Sequence, residues 1–528
     1  MMFHSVQFLL LVGLTFAGYW LVSKRKVARM GVLLFASLAF YAAWKPGPLV
    51  LFMGYALVNF LAGQGLERVK NPAGRKAIFV AALTWHLGGL FVFKYLDLVL
   101  SSIARPGGIA IFIADVAITW LTLRALAIAI DRPTRLEQLG GVWCIFVVAI
   151  GVIVGVNSFV LGWFDTIELP PPPKPIGLLL PVGLSFVAFQ AVSYVTDVYR
   201  GEASGRKSLY DHLVFKLFFP QVVAGPIVRA KDLMDQFDRT PEITPDEGSW
   251  GLFRIAQGVA KKLLLADVMA VALIDRVYAN PQNFSSLECV LATTAYTFYI
   301  YFDFSAYSDI AIGAAALFGF KFPENFNKPY HGRNLFEFWN RWHISLSTWL
   351  RDYLYRPLGG NKTGKYETLR NTMLVMTWGG LWHGADWKFL VWGIIHGVLL
   401  MLTRIKWWVF GKPKYEHWWQ VAIGWSWMMF TVIFARVFFR ADNIDKAFEV
   451  FRQMLKLSGG TANVSSLAWG GMAAALVFYF LPKPVFDFAG NTFVRLPVIA
   501  RAAALVGLGL AIRQIASFET QPYVYFQF

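Results

Sequence analysis

The first candidate for chemistry is His383, which lies in the apolar segment Thr377–Trp387 (TWGGLWHGADW). Three glycines surround it and leave room for close helix packing or for a narrow substrate. An ionisable side chain within a membrane segment is by default a candidate functional group. A neutral imidazole there suits a general base that takes the proton of an attacking hydroxyl while a thiol leaves. The alternative is a histidine that hydrogen-bonds between two helices.

A second candidate group lies in the segment Asn334–Tyr355 (NLFEFWNRWHISLSTWLRDYLY). Asn340, His343 and Ser347 fall at positions i, i+3 and i+7, so we predict that they share one face of an amphipathic helix. The attack of a hydroxyl on a thioester also needs a hydrogen-bond donor for the oxyanion that develops. Asn340 or His343 is a candidate for that role. The alternative is an ordinary interfacial helix whose histidine is hydrogen-bonded.

Other residues give weaker signals. Asp303 and Asp309 lie in an apolar run (YFDFSAYSDI), where they either line a polar cavity or hold helices together. The sequence has no HExxH zinc motif, P-loop or GxSxG elbow, which argues against hydrolases and ATPases. With only Cys144 and Cys289 and no CxxC pair, we predict neither a metal site nor a disulfide framework.

The composition determines what must position these residues. The chain has 528 residues, is 57% hydrophobic and only 15% charged, whereas soluble domains carry about 25% charged residues. A bilayer is therefore the expected solvent. The net charge of +17 is explained by basic cytoplasmic loops rather than by nucleic acid, which we do not expect as a partner. Such a basic inner face would also attract an anionic acyl donor.

Apolar stretches long enough to cross about 30 Å of hydrocarbon recur along the chain, and we predict about eleven to fourteen membrane helices. They are expected near 5–22, 30–45, 47–63, 77–98, 107–129, 141–163, 177–198, 249–280, 287–319, 368–384, 386–404, 418–439, 465–481 and 497–516. Basic residues at 24–29 and 68–76 indicate cytoplasmic loops, so both termini are predicted outside. The proline-rich run 168–176 is expected to be a loop, and segments 201–249 and 321–367 to be loops or re-entrant.

Several segments together resemble the membrane-bound O-acyltransferase (MBOAT) family, specifically its bacterial alginate O-acetylation branch. The matching stretches are SYVTDVYRGE (193–202), FFPQVVAGPIVR (218–229), YFDFSAYSDIAIG (301–313), FGFKFPENFNKPY (318–330), FWNRWHISLSTWLRDYLYRPLGGNKTG (338–364), GGLWHGADWKFLVWGIIHG (379–397) and PYVYFQF (522–528). The resemblance implies an all-α polytopic fold, a ring of spans around a central funnel with re-entrant or in-plane helices. It also implies that His383 is the catalytic histidine and that His343 is its polar neighbour.

The resemblance suggests three parts: N-terminal membrane helices (1–176), a catalytic core (177–404) and C-terminal membrane helices with an extracytoplasmic tail (405–528). We predict catalytic roles for His383, His343 and Tyr525. We predict substrate-binding roles for Asn340, Trp382, Ser347, Arg351 and Asp309. No bound cofactor is expected. Acetyl-CoA is the expected acyl donor, with basic residues around 351–365 holding its phosphates.

The C-terminal residues YVYFQF (523–528) resemble the FIYxxF ending of the small membrane partner in teichoic-acid D-alanylation. This resemblance suggests that Tyr525 accepts the acyl group outside and relays it onward. This sequence has Tyr523 where that pattern has Phe. An ordinary frayed aromatic tail is the alternative.

These observations predict an enzyme of the bacterial inner membrane, surrounded by lipid. It would move acetyl groups from cytoplasmic acetyl-CoA for O-acetylation of an extracytoplasmic, alginate-like polysaccharide. Because the chain lacks a soluble SGNH-type domain, we expect a separate periplasmic SGNH-type acetyltransferase to complete transfer. The alternatives are the same chemistry on peptidoglycan, cellulose or another exopolysaccharide, a non-catalytic transporter, and a structural scaffold. Transporters commonly show internal repeats, and none is visible in this sequence.

Overall fold

The computed structural model describes residues 5–43, 47–103, 121, 181, 183–205, 207–222, 225–515 and 522–523. Within these ranges every regular element is a helix, as predicted from the sequence. The first five helices are α1 (Val6–Leu21), α2 (Lys26–Ala42), α3 (Gly47–Arg68), α4 (Pro72–Leu90) and α5 (Leu96–Ile103). A single wide π turn, Phe91–Tyr95, joins α4 to α5. Predicted spans 107–129 and 141–163 and the proline-rich run lie outside the described residues.

The helices of the middle of the chain alternate between long spans and short connecting pieces. They are α6 (Leu184–Arg200), α7 (Leu209–Leu217), α8 (Ala230–Phe237), α9 (Pro245–Ala260), α10 (Asp267–Met269), α11 (Asp275–Ala279), α12 (Ser286–Leu317), α13 (Leu335–Arg341) and α14 (Ile344–Leu350). Further π turns cover Lys261–Ala266, Ala270–Ile274 and Arg351–Tyr355. The region corresponding to the predicted span 249–280 is therefore a chain of α and π turns.

The remaining helices are α15 (Lys365–His383), α16 (Trp387–Phe410), α17 (Trp418–Arg440), α18 (Ile444–Leu455), α19 (Ser466–Phe480), α20 (Lys483–Arg495) and α21 (Val498–Ile515). The C-terminal end of α15 crosses α16 closely. A Cβ on Gly393 would lie 2.5 Å from the carbonyl oxygen of Met376 and 3.2 Å from the Cα of Gly380. The glycines of the WGGLWHG segment and of α16 therefore serve close packing, one of the two roles expected for them.

The central helix α12 is 32 residues long and buried along most of its length. It begins with a capping box in which Ser285 and Glu288 each satisfy the other's backbone N–H. Helix α9 packs along it through small residues, because a Cβ on Gly258 would lie 2.6 Å from the carbonyl oxygen of Ala306. This close approach fixes α12 in the core, where it can support residues from several other helices.

Four described helices are long and apolar enough to cross a membrane by themselves: Gly47–Arg68, Pro72–Val99, Trp387–Phe410 and Trp418–Arg440. The pair α19 and α20, bent by 88°, would make a fifth. Large apolar side chains such as Leu21, Phe35 and Ile499 lie exposed on the outside of the bundle, as expected for groups that face lipid. The chain is thus an all-α multi-pass membrane protein, while the predicted number of spans and the three-part division stay predictions.

The prediction of one continuous helix through Asn340, His343 and Ser347 is wrong. Helix α13 ends at Arg341 and α14 begins at Ile344, with His343 between them at φ +43°. The loop at 325–327 hydrogen-bonds to this break: Asn327 donates its N–H to the Arg341 carbonyl, and Ile344 donates to the Asn325 carbonyl. These bonds satisfy backbone groups that a continuous helix would have paired internally.

Candidate active site

His383 is the last residue of α15, and Gly384 ends the helix. Its imidazole is buried and is surrounded by three aromatic rings. The ring centroids of Trp382, Trp392 and Phe439 lie 5.1, 5.2 and 5.1 Å from its own. The two tryptophans and the phenylalanine exclude bulk water and restrict the orientation of the imidazole.

His343 is fully buried and packs its ring against Phe304 of α12 at 4.7 Å and against Trp382 at 5.7 Å. The indole of Trp382 therefore contacts both imidazoles, and the two predicted catalytic histidines belong to one site. A positive φ is uncommon for a residue other than glycine and costs backbone energy. At His343 this conformation turns the side chain out of a helical register and into the core.

The hydrogen bonds of Asn325 determine which ring nitrogen of His343 carries the proton. The Ser345 N–H donates to Asn325 Oδ1 at 3.1 Å, and the Ser345 hydroxyl donates to the same oxygen at 2.9 Å. Oδ1 is therefore an acceptor, so His343 Nδ1, which lies 3.2 Å from it, must be the donor. In neutral His343 the lone pair is then on Nε2. That tautomer suits a base, and only a protonated His343 could donate from Nε2 to an oxyanion.

Sequence reasoning missed Asn325 and Ser345, which hold His343 in place. Asn325 also donates from Nδ2 to the Ser308 hydroxyl of α12 at 3.3 Å, and the Ile227 N–H donates to the Ser345 hydroxyl at 3.0 Å. Both residues lie in stretches that resemble the family, but neither their type nor their spacing predicts this role, because it depends on a loop that folds back over the break between two helices.

Lys94 and Tyr95 were also missed, although they lie within the predicted span 77–98. The Lys94 ammonium is buried and donates to the Trp382 carbonyl and, at 3.0 Å, to the Ser185 hydroxyl. The Tyr95 hydroxyl donates to the Leu381 carbonyl at 3.0 Å. These carbonyls belong to the last turn of α15, which lacks intrahelical donors. The π turn of Phe91–Tyr95 thus anchors the turn that carries His383, and a lone lysine in an apolar span was the available signal.

The surroundings of His383 are electropositive. Two basic side chains lie close to it: Lys94 donates to the carbonyl of the neighbouring Trp382, and the Arg436 guanidinium lies 5.3 Å from the ring of Phe439, which packs on His383. The Arg436 guanidinium is buried and lies 4.6 Å from the centroid of the Trp342 ring. His396, predicted to be structural, packs 4.7 Å from Trp392. A low-dielectric site with this surplus of positive charge favours negative charge that develops on a reacting oxygen.

A cluster of arginines lies at the far end of α14. The carboxylate of Asp352 pairs with Arg229 at 2.6 Å, Arg351 at 2.8 Å and Arg356 at 2.9 Å. Burial by itself raises the pKa of the Asp352 carboxyl, but hydrogen bonds from Arg351 and Arg229 outweigh it and lower that pKa to about 2. One ionised carboxylate thus faces three guanidinium groups. The Arg351 and Arg356 side chains are 52% and 65% exposed, so they are accessible to an anionic ligand.

Aromatic contacts connect this arginine cluster to the histidines. Trp349 stacks on Phe189 at 3.7 Å, and Phe189 lies 5.6 Å from Trp382. Arg351 is eight residues after His343 along α14, which corresponds to a rise of about 12 Å. An elongated ligand with an anionic head at the cluster could therefore place its other end near the histidines.

The other predicted substrate-binding residues lie elsewhere or make structural contacts. Asp309 forms ion pairs with Arg254 at 2.5 Å and Lys261 at 2.6 Å, which join α9 and its π turn to α12. Asn340 is exposed on α13, and the Ser347 hydroxyl donates to the Trp342 carbonyl at 3.2 Å. The structure does not bring Asp309, Asn340 and Ser347 together on one helix face. Their roles in substrate binding stay predictions.

Tyr525 lies outside the described residues, but Tyr523 is described and is buried. Its ring lies 5.3 Å from that of Tyr307 on α12, and the Lys262 ammonium lies 4.8 Å from its centroid. This short part of the tail is therefore inserted among core helices. Among the described residues no group of three or more His, Cys, Asp or Glu side chains could hold a metal ion.

The all-α membrane fold and the paired histidines describe a class of membrane enzyme, and comparison with known proteins identifies its family. The sequence model of MBOAT, the membrane-bound O-acyltransferase family, matches residues 200–436. The chain is similar over its whole length to a probable alginate O-acetylase of Pseudomonas putida, 33% identical over 556 residues and covering 100% of both chains. This chain therefore belongs to the membrane-bound O-acyltransferase family and is an acyltransferase enzyme, as the motifs predicted.

Two further relatives show the range of the family. A probable alginate O-acetylase of Pseudomonas aeruginosa is 35% identical over 469 residues, with 88% of this chain and 77% of that one covered. A peptidoglycan O-acetyltransferase of Helicobacter pylori is 31% identical over 478 residues, with 83% of each chain covered.

Proposed function

We propose that this protein transfers acetyl groups from cytoplasmic acetyl-CoA for O-acetylation of an extracytoplasmic, alginate-like polysaccharide at the bacterial inner membrane. The observation that carries the proposal is the pair of histidines that share the indole of Trp382 in an electropositive, aromatic site. The names of the relatives support acetyl transfer to a cell-envelope polymer, and those most similar over long stretches are alginate O-acetylases. The basic loops predicted on the cytoplasmic side support an anionic donor that approaches from there.

In the proposed chemistry, His383 takes the proton of the acceptor hydroxyl as that oxygen attacks the thioester carbonyl carbon. A carbon–oxygen bond forms, the carbon–sulfur bond breaks, and the proton held by His383 neutralises the leaving thiolate. The positive charges of Lys94 and Arg436 favour the intermediate oxyanion. His343 orients the reacting groups through its Nε2 lone pair, because Asn325 holds the opposite nitrogen.

The arginine cluster around Asp352 is the proposed site for the phosphates of the donor. Guanidinium groups bind phosphate oxygens through two parallel N–H bonds. Arg351 and Arg356 are exposed enough to make such bonds, while Arg229 and Asp352 hold them in place. The distance along α14 lets the thioester end approach Trp382.

The tail supports a second step, in which Tyr525 carries the acetyl group to a periplasmic SGNH-type acetyltransferase. Tyr523, two residues earlier, is buried against Tyr307 and Lys262, so its insertion anchors the tail to the core. Replacement Tyr525→Phe tests the relay directly. Full acetylation of the polymer in that variant would contradict it, while loss of acetylation with normal protein abundance would support it.

The proposed function is tested with purified protein, acetyl-CoA and alginate as the acceptor, measuring the free thiol released, and in cells by mass spectrometry of ester-linked acetate on envelope polymers. We expect thiol release from the wild type and none above background from His383→Ala. A variant with unchanged acetate would exclude His383 as the catalytic group. A transporter would move substrate without releasing thiol. Acetate lost from peptidoglycan instead of an exopolysaccharide would favour the acceptor named in the Helicobacter pylori relative.

A further inference from the structure

A second group of buried polar side chains lies in the N-terminal half of the bundle, apart from the catalytic histidines. It consists of Asn59 of α3, His86 of α4, and His212 and Lys216 of α7, and all four side chains are fully buried. Asn59 and His86 lie within helices long and apolar enough to span the membrane. His212 and Lys216 are four residues apart, so they lie on the same face of α7.

The contacts of these residues bring the three helices together around them. The His86 ring lies 4.9 Å from Tyr55, one helical turn before Asn59 on α3. The His212 ring lies 6.3 Å from Phe60, the residue after Asn59, and 4.7 Å from Tyr194 of α6. Lys216 interacts electrostatically with both imidazoles. His86, His212 and Lys216 thus lie near one another, with aromatic rings of α3 and α6 against the two imidazoles, and Asn59 lies on the α3 segment between Tyr55 and Phe60.

In the part of the chain that the structure describes, none of these side chains has a hydrogen-bond partner. The atoms concerned are both side-chain atoms of Asn59, both ring nitrogens of His86 and His212, and Lys216 Nζ. Burying a polar group without a hydrogen bond is costly, and burying an unpaired charge more so. Orphaned buried groups therefore indicate a bound ion or water. The buried Lys262, by contrast, pairs with Asp303 at 2.8 Å and Asp267 at 2.7 Å.

We propose that this cluster binds a small monovalent anion, a halide or a short carboxylate such as acetate. The Lys216 ammonium, the Asn59 amide and the two imidazoles all supply N–H donors, and the described structure pairs no carboxylate with them. An anion accepts these hydrogen bonds and neutralises Lys216 in a region where hydration is unavailable. The site is independent of acyl transfer, since it uses none of the residues around Trp382.

The test measures thermal unfolding of the purified full chain in lipid nanodiscs. Sodium chloride, sodium bromide and sodium acetate each replace sodium gluconate, the reference salt, in a titration at constant ionic strength. We expect the unfolding midpoint to rise by a few degrees with the small anions and to saturate, because a ligand that binds only the folded state stabilises it. The anion with the lowest half-saturating concentration distinguishes a halide from a carboxylate site.

Lys216→Met and His212→Gln are expected to abolish and to weaken this response, respectively. The matched control is Lys231→Met, at an exposed lysine of α8; this variant should respond like the wild type. If Lys216→Met does not fold, bromide-soaked crystals of the wild type provide the second measurement, with an anomalous peak expected between α4 and α7. A midpoint insensitive to all three anions, or a response that persists in Lys216→Met, would overturn the proposal.

Discussion

The two histidines of the active site and the aspartates of α12 arise from similar sequence features, yet the structure treats them differently. Each is an ionisable residue in an apolar run. Asp303 and Asp309 are neutralised by Lys262, Lys261 and Arg254 at 2.5–2.8 Å. His343 and His383 lie instead among aromatic rings, in electropositive surroundings. In this protein, therefore, the aspartates hold helices together through ion pairs, whereas the two histidines lie in the aromatic candidate site.

The largest effect is expected from His383→Ala. Loss of a general base lowers kcat by about 10²–10⁴-fold, while the fold is expected to survive because the glycine-mediated packing of α15 on α16 does not depend on the imidazole. Thiol release from acetyl-CoA measures the rate, and size-exclusion chromatography checks the fold. His331→Ala, at an exposed histidine in the short 3₁₀ helix Pro329–His331, is the control and should keep its rate. An equal loss of rate in His383→Ala and His331→Ala would contradict the assignment of the chemistry to His383.

Lys262→Met should show the opposite pattern, a loss of stability. Removing one partner of a buried ion pair leaves uncompensated charge and costs about 3–5 kcal/mol; here two carboxylates, Asp303 and Asp267, would be left. We expect a marked drop in the thermal unfolding midpoint. Adding Asp303→Asn and Asp267→Asn should restore part of it. If the single variant kept wild-type stability, the ion pairs of α12 would not be structural.

Lys94→Met tests whether the π turn positions His383. The turn of α15 that carries His383 would lose a donor to the Trp382 carbonyl, and misplacement of a catalytic group by about 1 Å costs up to about 100-fold in rate. We therefore expect kcat to fall about 10- to 100-fold with KM little changed.

Two further variants complete this test. Tyr95→Phe, which removes the bond to the Leu381 carbonyl, should have a smaller effect in the same direction. The exposed Lys321→Met is the control. A change in stability without a change in kcat would show that Lys94 is merely structural.

Arg351→Ala should give the smallest effect. An exposed arginine contributes about 1 kcal/mol or less to an ionic contact, so we expect KM for acetyl-CoA to rise about fivefold with kcat unchanged. The increase should shrink at high salt, which screens exposed charges. Arg333→Ala, whose arginine pairs with Glu337 elsewhere, should leave KM as it is. A fall in kcat would place Arg351 in the chemistry instead of donor binding.

Much of this arrangement could be predicted from the chain itself. Apolar runs gave the helices of most described spans within a few residues, and the pairing of His383 with His343 followed from the motifs. Asn325, Ser345 and Lys94 could not be placed in the same way. Their roles depend on contacts across long sequence separations, such as that between Lys94 and Trp382, which helical periodicity does not encode.

The sequence by itself determined that the bilayer is the solvent and that the fold is helical, and it singled out His383 as the candidate catalytic residue, because hydrophobicity and motif composition are local properties. The tertiary structure decided which ionisable groups are neutralised and which are not. It also decided the break between Arg341 and Ile344, where the loop at 325–327 supplies the hydrogen bonds that a continuous helix would have made. Through that break His343 reaches Trp382, and its protonated nitrogen is fixed by Asn325.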